Sequence, residues 1–236
     1  MKTFSKNDAI YIGKYAGDEI IKEIKSAKSS VKIVSPYLSG NYVKELIHLH
    51  KKGRKITLIT SDNIAENKKY SDFSASDLVI KNETIDLTLE KKRKNGITYS
   101  IILLIISLFT LINSVIFSIF FNPSIIILFF SIISLIYYHA LEIKRTEYTP
   151  IFRIKVFDSK SGEKPWSTEL IHSKIYVIDN ALAFLGSVNF TYSGFKTHYE
   201  TMIKIQDIKA VLDISQEVEE LYNSKDLRAK EIEEWI

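Results

Sequence analysis

The sequence predicts an α/β domain interrupted by a two-helix transmembrane hairpin, and two observations predict it. Short β-branched strands alternate with amphipathic helices at both ends of the chain, while residues 95–141 between them hold no Lys, Arg, Asp or Glu. Averaged over 236 residues, 46% hydrophobic and 25% charged with a net charge of +4 describes an ordinary soluble domain. The average conceals a division. All 32 basic and 28 acidic residues sit in the other 189 positions, where the charged fraction rises to about 32%. A single soluble globule and a multi-pass transporter are both excluded. The absence of cysteine excludes a disulfide framework, a thiol nucleophile and cysteine-based zinc or iron–sulfur sites, leaving only His/carboxylate metal sites open. Residues 1–18 contain no apolar core of a signal peptide, so none is expected. The small basic excess suits phosphate-bearing partners without itself indicating nucleic acid.

Residues 1–90 read as the first half of the α/β domain with a linker. In 17–27, Ile20, Ile24 and Ala27 share one helical face. Val31-Lys32-Ile33-Val34-Ser35-Pro36 is a short strand ended by proline. Asn41 is placed to cap a second helix, with Val43, Leu46, Ile47 and His50 at helical spacing and Gly53 as its stop. Residues 55–60 form the next strand, which makes a βαβ unit with parallel strands and a right-handed crossover. Residues 61–90 are polar and weakly patterned, and are expected to be a linker.

The apolar run, residues 97–141, divides at Asn122-Pro123, a turn dipeptide whose first residue is biased out of the helical region. Helices over 97–121 and 124–141 would be roughly 37 and 27 Å long, against about 30 Å of bilayer hydrocarbon. Lys91-Lys92-Arg93-Lys94 precedes the run and Lys144-Arg145 follows it, while the turn carries no charge. The positive-inside rule therefore predicts a two-pass integral membrane protein with the α/β domain and both termini cytoplasmic, and Tyr99, Tyr137 and Tyr138 suit the interfaces. The alternative, two buried core helices, fails because 189 residues are too few to wrap them. Asn113 and the Ser/Thr residues of the first helix are expected to pack against the second.

Residues 145–236 form the second half. Residues 152–157, 170–178, 183–185 and 201–205 are strand-like, and an amphipathic helix is expected from about Ile208 to Tyr222. His172-Ser173-Lys174 is followed after four residues by Asp179, and six residues later by Gly186-Ser187-Val188-Asn189. Six such fixed positions match by chance on the order of a few times in a million. On a strand, His172 and Lys174 project from one face, bringing an imidazole and an ammonium to one place. A neutral histidine can attack phosphorus and a protonated one can donate to a leaving group; a lysine, with the donors of Ser187 and Asn189, can stabilise phosphate oxygens without a metal.

This H-x-K-x4-D-x6-G-S-x-N pattern resembles the signature of the phospholipase D superfamily, whose members cleave phosphodiester bonds. The resemblance extends to residues 20–62 and to Glu200, and covers nearly all of the chain outside the hairpin. It implies a mixed sheet flanked by helices, no cofactor, and site residues His172, Lys174, Asp179, Ser187, Asn189 and Glu200. Glu200 is expected to accept from the second imidazole nitrogen of His172, and Asp179, on the opposite face, to be chiefly structural. Two histidines are implied per site, one becoming a phosphohistidine. With one motif in this chain, a homodimer pairing His172 from each protomer is expected, or a heterodimer with another single-motif protein. His50-Lys51-Lys52 is a decoy, with Thr57 where the motif needs Asp. His198 stands where members often have Asn, and is taken as a neutral surface change over a substrate contact. His48 and His139 read as non-catalytic, and Trp166 as core or interface. The hairpin favours membrane phospholipid as the substrate; a membrane-tethered nuclease and an inactive scaffold are the alternatives. For the nuclease, Lys51-Lys52-Gly53-Arg54-Lys55 with Lys22, Lys25 and Lys28 would line a phosphate track.

Overall fold

Local pattern and tertiary burial agree first in α1 (Gly17–Ser26), whose Ile20 and Ile24 are fully buried, with Ala27 just beyond. The structure, a computed structural model, describes residues 9–62, 74–116, 123–159 and 171–236. Trp166, Leu170 and residues 117–122, with the expected turn at Asn122, lie outside them. The chain divides into two compact units, Met1–Ile80 with Tyr148–Ile236, and Lys81–Glu147.

The first unit is built on a seven-stranded mixed sheet in the order β1-β9-β8-β7-β2-β3-β6. β2 (Ser30–Val34), β3 (Lys55–Ser61) and β6 (Arg153–Phe157) are parallel, and α2 (Gly40–Lys51) crosses from β2 to β3 as a βαβ unit should. β7 (Ile175–Ile178), β8 (Leu182–Gly186), β9 (Glu200–Ile205) and β1 (Ala9–Gly13) continue antiparallel from β2. β1 was not foreseen: it is an edge strand with Tyr11 and Ile12 exposed, so no buried alternation marks it. A short helix, α5 (Tyr192–Lys196), lies between β8 and β9. Val31 and Ile33 face the core under α1 and α2, whereas Val34, Ile59 and Phe157 pack with Val218 of α6 (Ile208–Asn223) on the other face. The sheet is thus covered by helices on both sides. α2 corrects one expectation. Its N-cap is the extended Ser39, so Asn41 lies inside the first turn, where its side chain is past the capping position.

Lys32 points to the α6 face and meets Glu219 at 2.8 Å, and Arg153 binds the same carboxylate with two nitrogens at 3.2 and 2.9 Å. Hydrogen bonds from Arg153, then Lys32, outweigh burial and hold the Glu219 carboxyl down at about 2, from an ordinary 4.5. A depressed carboxylate stabilises the fold above the unfolded value and loses that contribution as pH falls toward the folded one. Urea unfolding should therefore find Glu219→Gln less stable than the parent by about 1–2 kcal/mol at pH 7, with the gap narrowing sharply by pH 3. A gap independent of pH would assign the effect to packing.

The second unit holds most of β4 (Val79–Ile85) and β5 (Lys144–Pro150), paired as a two-stranded sheet, and the helices α3 (Leu87–Ile116) and α4 (Ser124–Ala140). The expected linker over 61–90 is therefore structured where it is described. A 3-10 turn, Ala75–Leu78, is held by a reciprocal capping box between Ser74 and Asp77, and β4 follows it. Both ribbon strands are largely exposed on both faces and pair across the whole insert, so no alternation of buried residues announces them. Asp86 caps α3, accepting from the backbone N–H of Thr88 and Leu89 at 2.9 and 3.0 Å. The helix consequently starts ten residues earlier than expected, and Lys91-Lys92-Arg93-Lys94 lie on it.

α3 and α4 pack through small and hydroxyl side chains. Ser100 and Ser134 hydroxyls are 2.8 Å apart, Ser107 and Ser131 are buried, and a Cβ on Gly96 would stand 2.3 Å from the Tyr138 ring. Ile101, Ile105, Phe109, Ile125, Phe129 and Ile136 face outward. Asn113 donates to Phe109 O of its own helix at 2.8 Å, and not to α4 as expected. Among the described residues, one helix, over Leu87–Asn113, is long and apolar enough to cross a membrane; α4, with 17 residues, is shorter.

Candidate active site

Strand directions decide where the motif residues meet. Because β7 runs antiparallel to β2, β8 to β7 and β9 to β8, the start of β7, the end of β8 and the start of β9 lie at one end of the sheet. His172 and Lys174 precede β7 as extended chain, outside the strand proper. Gly186 ends β8 and Glu200 begins β9.

Lys174 is buried, 6% exposed, and its ammonium donates to the His172 carbonyl at 2.7 Å and lies 3.2 Å from His172 Nε2. An ammonium has only donors, so Nε2 is the acceptor and the proton of a neutral ring sits on Nδ1. The exposed imidazole is thus set with its Nε2 lone pair beside a fixed positive charge. Burial pushes the Lys174 pKa below its ordinary value, and the Glu200 charge opposes that shift, so carboxylate and ammonium share one electrostatic environment.

The Gly-Ser step lies flush against β9. A Cβ on Gly186 would stand 2.0 Å from Thr201 O, a contact that only glycine avoids. Ser187 N–H donates to Thr201 O at 2.9 Å, Thr201 N–H donates to Ser187 Oγ at 3.0 Å, and the Ser187 hydroxyl donates to Glu200. Glu200 is 8% exposed and also faces His198, whose Nδ1 is 3.6 Å from Oε1. Among the described residues its partners are Ser187 and His198, so the expected bond to His172 is not one of them. His198 thus stands beside the Glu200 carboxylate with its own side chain largely exposed.

Asn189 stands in the loop before α5, its buried Oδ1 without a hydrogen-bond partner among the described residues. Its neighbours are pinned. Val188 O accepts from Tyr176 at 2.7 Å, and Phe190 N–H donates to Ser35 Oγ at 2.9 Å. Burial raises the Tyr176 pKa well above the ordinary tyrosine value, so this hydroxyl stays a donor. Ser35 and Tyr176 were not singled out from the sequence. The signal available was the i, i+2 relation of Tyr176 to Lys174 and a serine between β2 and Pro36.

Asp179 is the one motif residue placed elsewhere. It sits at the opposite end of β7, in a turn where Asp179 and Asn180 have φ of 53° and 51° and Ala181 N–H donates to Ile178 O at 3.0 Å. Its carboxylate accepts from the backbone N–H of Lys28, Ser29 and Ser30 at 2.9, 2.7 and 2.9 Å and from the Ser29 hydroxyl at 2.8 Å. Burial works to raise its pKa, but these donors hold it below the ordinary value. Asp179 is thus a clasp between the β7–β8 turn and the α1–β2 loop.

A buried lysine against an exposed histidine, with a Ser–Glu pair alongside on a mixed sheet flanked by helices, defines a phospholipase D-like domain. The chain belongs to that family: the model described as "Cardiolipin synthase, PLD-like domain" matches residues 20–103 and 124–222. The structure is similar to that of NucT from Helicobacter pylori, at 14% identity and a TM-score of 0.53 over 95% of this chain and 99% of that one. A phospholipase D family member, Nuc from Salmonella typhimurium, matches at 12% identity and a TM-score of 0.45 over 95% and 99%. Phosphatidylserine synthase from Haemophilus influenzae Rd KW20 matches at 11% and 0.45, over 100% of this chain and 43% of its own. No curated protein sequence matches.

Proposed function

We propose that the chain is a membrane-anchored phosphodiesterase that cleaves phospholipids through a phosphohistidine, at a site shared by two protomers. The observation that carries this reading is the His172 Nε2–Lys174 Nζ pair beside Ser187 and Glu200. With a phosphodiester in place, the ammonium turns from Nε2 to a non-bridging oxygen and frees the nitrogen lone pair. Nε2 attacks phosphorus, the P–O bond to the leaving alcohol breaks, and the partner subunit's His172 gives that oxygen its proton. The same partner ring then removes a proton from water, which attacks the phosphohistidine and releases the product with His172 restored. Asn189 contributes a neutral donor, while the Ser187 hydroxyl, which donates to Glu200, fixes that carboxylate beside His198.

The insert supports the anchor. Its two helices turn serine and glycine toward each other and Ile, Leu and Phe outward, the reverse of a water-soluble helix pair. We read residues 97–141 as the two-pass span, with both halves of the catalytic domain in the cytoplasm. Because the protein has no cysteine, single cysteines report topology cleanly. Pro123→Cys in intact cells is expected to react with an impermeant maleimide, and Lys225→Cys only after permeabilisation. Labelling of both from outside, or of neither, overturns the two-pass topology.

A basic stretch at Lys51-Lys52-Gly53-Arg54-Lys55 favours the second reading, a tethered nuclease. The deciding experiment incubates full-length protein in detergent with phospholipid vesicles, single-stranded DNA and RNA, with and without chelator. Headgroup release that persists in chelator supports the lipid reading. Cleavage of DNA alone, falling steeply with salt, replaces it with the nuclease, and no reaction on any substrate replaces both with a scaffold.

A further inference from the structure

A concavity of the first unit lies at the end of the sheet away from His172, where the basic stretch after α2 arrives. Gly53, at φ 85°, stops the helix and turns the chain so that Arg54 and Lys55 enter the rim. The cavity is about 780 Å³, within the size range of small-molecule sites. Lys32, Arg54, Lys55 and Arg153 line it against one acid, Glu219, which leaves an excess of three positive charges. That acid is already engaged by Lys32 and Arg153. Arg54 is held by Ala27 O at 3.0 Å and Lys52 O at 2.8 Å, fixing its guanidinium, and Lys55 has no carboxylate partner among the described residues. Ile56 and Phe152 supply an apolar wall, and the ring of His50, packed on Phe152, keeps a buried Nδ1 without a partner among the described residues. Ser30 and Thr57 add side-chain hydroxyls to the lining.

We propose that this cavity is a second, non-catalytic site for a small phosphomonoester, its phosphate on Arg54 and Lys55 and its apolar body against Phe152 and Ile56. Fixed cations over an apolar wall select a molecule that carries both features, in preference to a bare ion. The site does not depend on the reading of His172. Asp179, which clasps Ser29 and Ser30 at this end of β7, makes one wall rigid before any ligand arrives.

The test is calorimetric titration of full-length His172→Asn protein in detergent with phenyl phosphate, inorganic phosphate and benzyl alcohol. Phenyl phosphate is expected to bind at least about tenfold more tightly than inorganic phosphate. Lys55→Ala, a change at an exposed position, is expected to weaken it about tenfold, with Lys55→Arg restoring most of the loss. Unchanged affinity in Lys55→Ala overturns the proposal. So does a loss produced by Lys174→Ala and not by Lys55→Ala, because it would place the ligand at the other end of the sheet. Benzyl alcohol binding as tightly as phenyl phosphate would also overturn it.

Discussion

His172→Asn is expected to lower phosphodiester cleavage by about 10⁴-fold or more, leaving the fold intact. Asparagine keeps a polar side chain of similar reach but has no nitrogen lone pair able to form a covalent bond to phosphorus. The side chain is exposed, and its structural ties are the Lys174 contact and the carbonyl that asparagine also possesses, so thermal stability should barely move. The same substitution tests the shared site. If each site uses the imidazole of both protomers, random dimers from equal parts of wild-type and His172→Asn chains retain about one quarter of the activity, against one half for independent sites. Rapid quench with a radiolabelled phospholipid should trap acid-labile phosphate on wild-type protein and none on the variant. Wild-type turnover with no trapped phosphate would remove the covalent step.

Asp179→Ala carries the largest expected effect on stability, a loss of about 3 kcal/mol. Four donors lose their acceptor, three of them backbone N–H groups fixed by the α1–β2 loop, and an alanine would have to hold a left-handed φ of 53°. Asp179→Asn should recover more than half of the loss, since Oδ1 accepts three of the four bonds and asparagine tolerates this conformation. Urea unfolding reads the stability, and turnover per folded molecule at low temperature reads the chemistry. Near-normal turnover in the folded fraction separates Asp179 from the residues that touch phosphate, whereas a loss matching His172→Asn would return it to them. Because the folded carboxyl titrates below its unfolded value, the advantage of the parent over Asp179→Asn is present above about pH 4 and fades as pH falls below it.

Much of this was legible in the sequence where apolar periodicity and burial coincide. Ile20, Ile24, Val43 and Leu46 announce their helices because one face of each meets the sheet. The motif spacing put His172, Lys174, Ser187 and Glu200 in one neighbourhood because two hairpin reversals return the chain to the same end of the sheet. What was hidden has no local signature. β4 and β5 are largely exposed on both faces, and β1 gains its place from β9 nearly the whole chain away. The partner of Glu200 was hidden for another reason: spacing brings side chains to one end of a sheet, but packing decides which atoms touch.

The sheet is completed late. Parallel β3 and β6 are neighbours, yet the whole of Lys81–Glu147 lies between them in the chain, and Ile33 of central β2 waits for Tyr176. Until the insert has been synthesised, β2 and β3 lack their outer neighbours β7 and β6, so a sheet of these two strands would have open edges on both sides. Loop closure grows only logarithmically with length, so the insert costs the finished fold little, but any delay in lodging it prolongs the exposure of Ile33 and Ile59. Completion of the seven-stranded sheet therefore waits on a segment that takes no part in it.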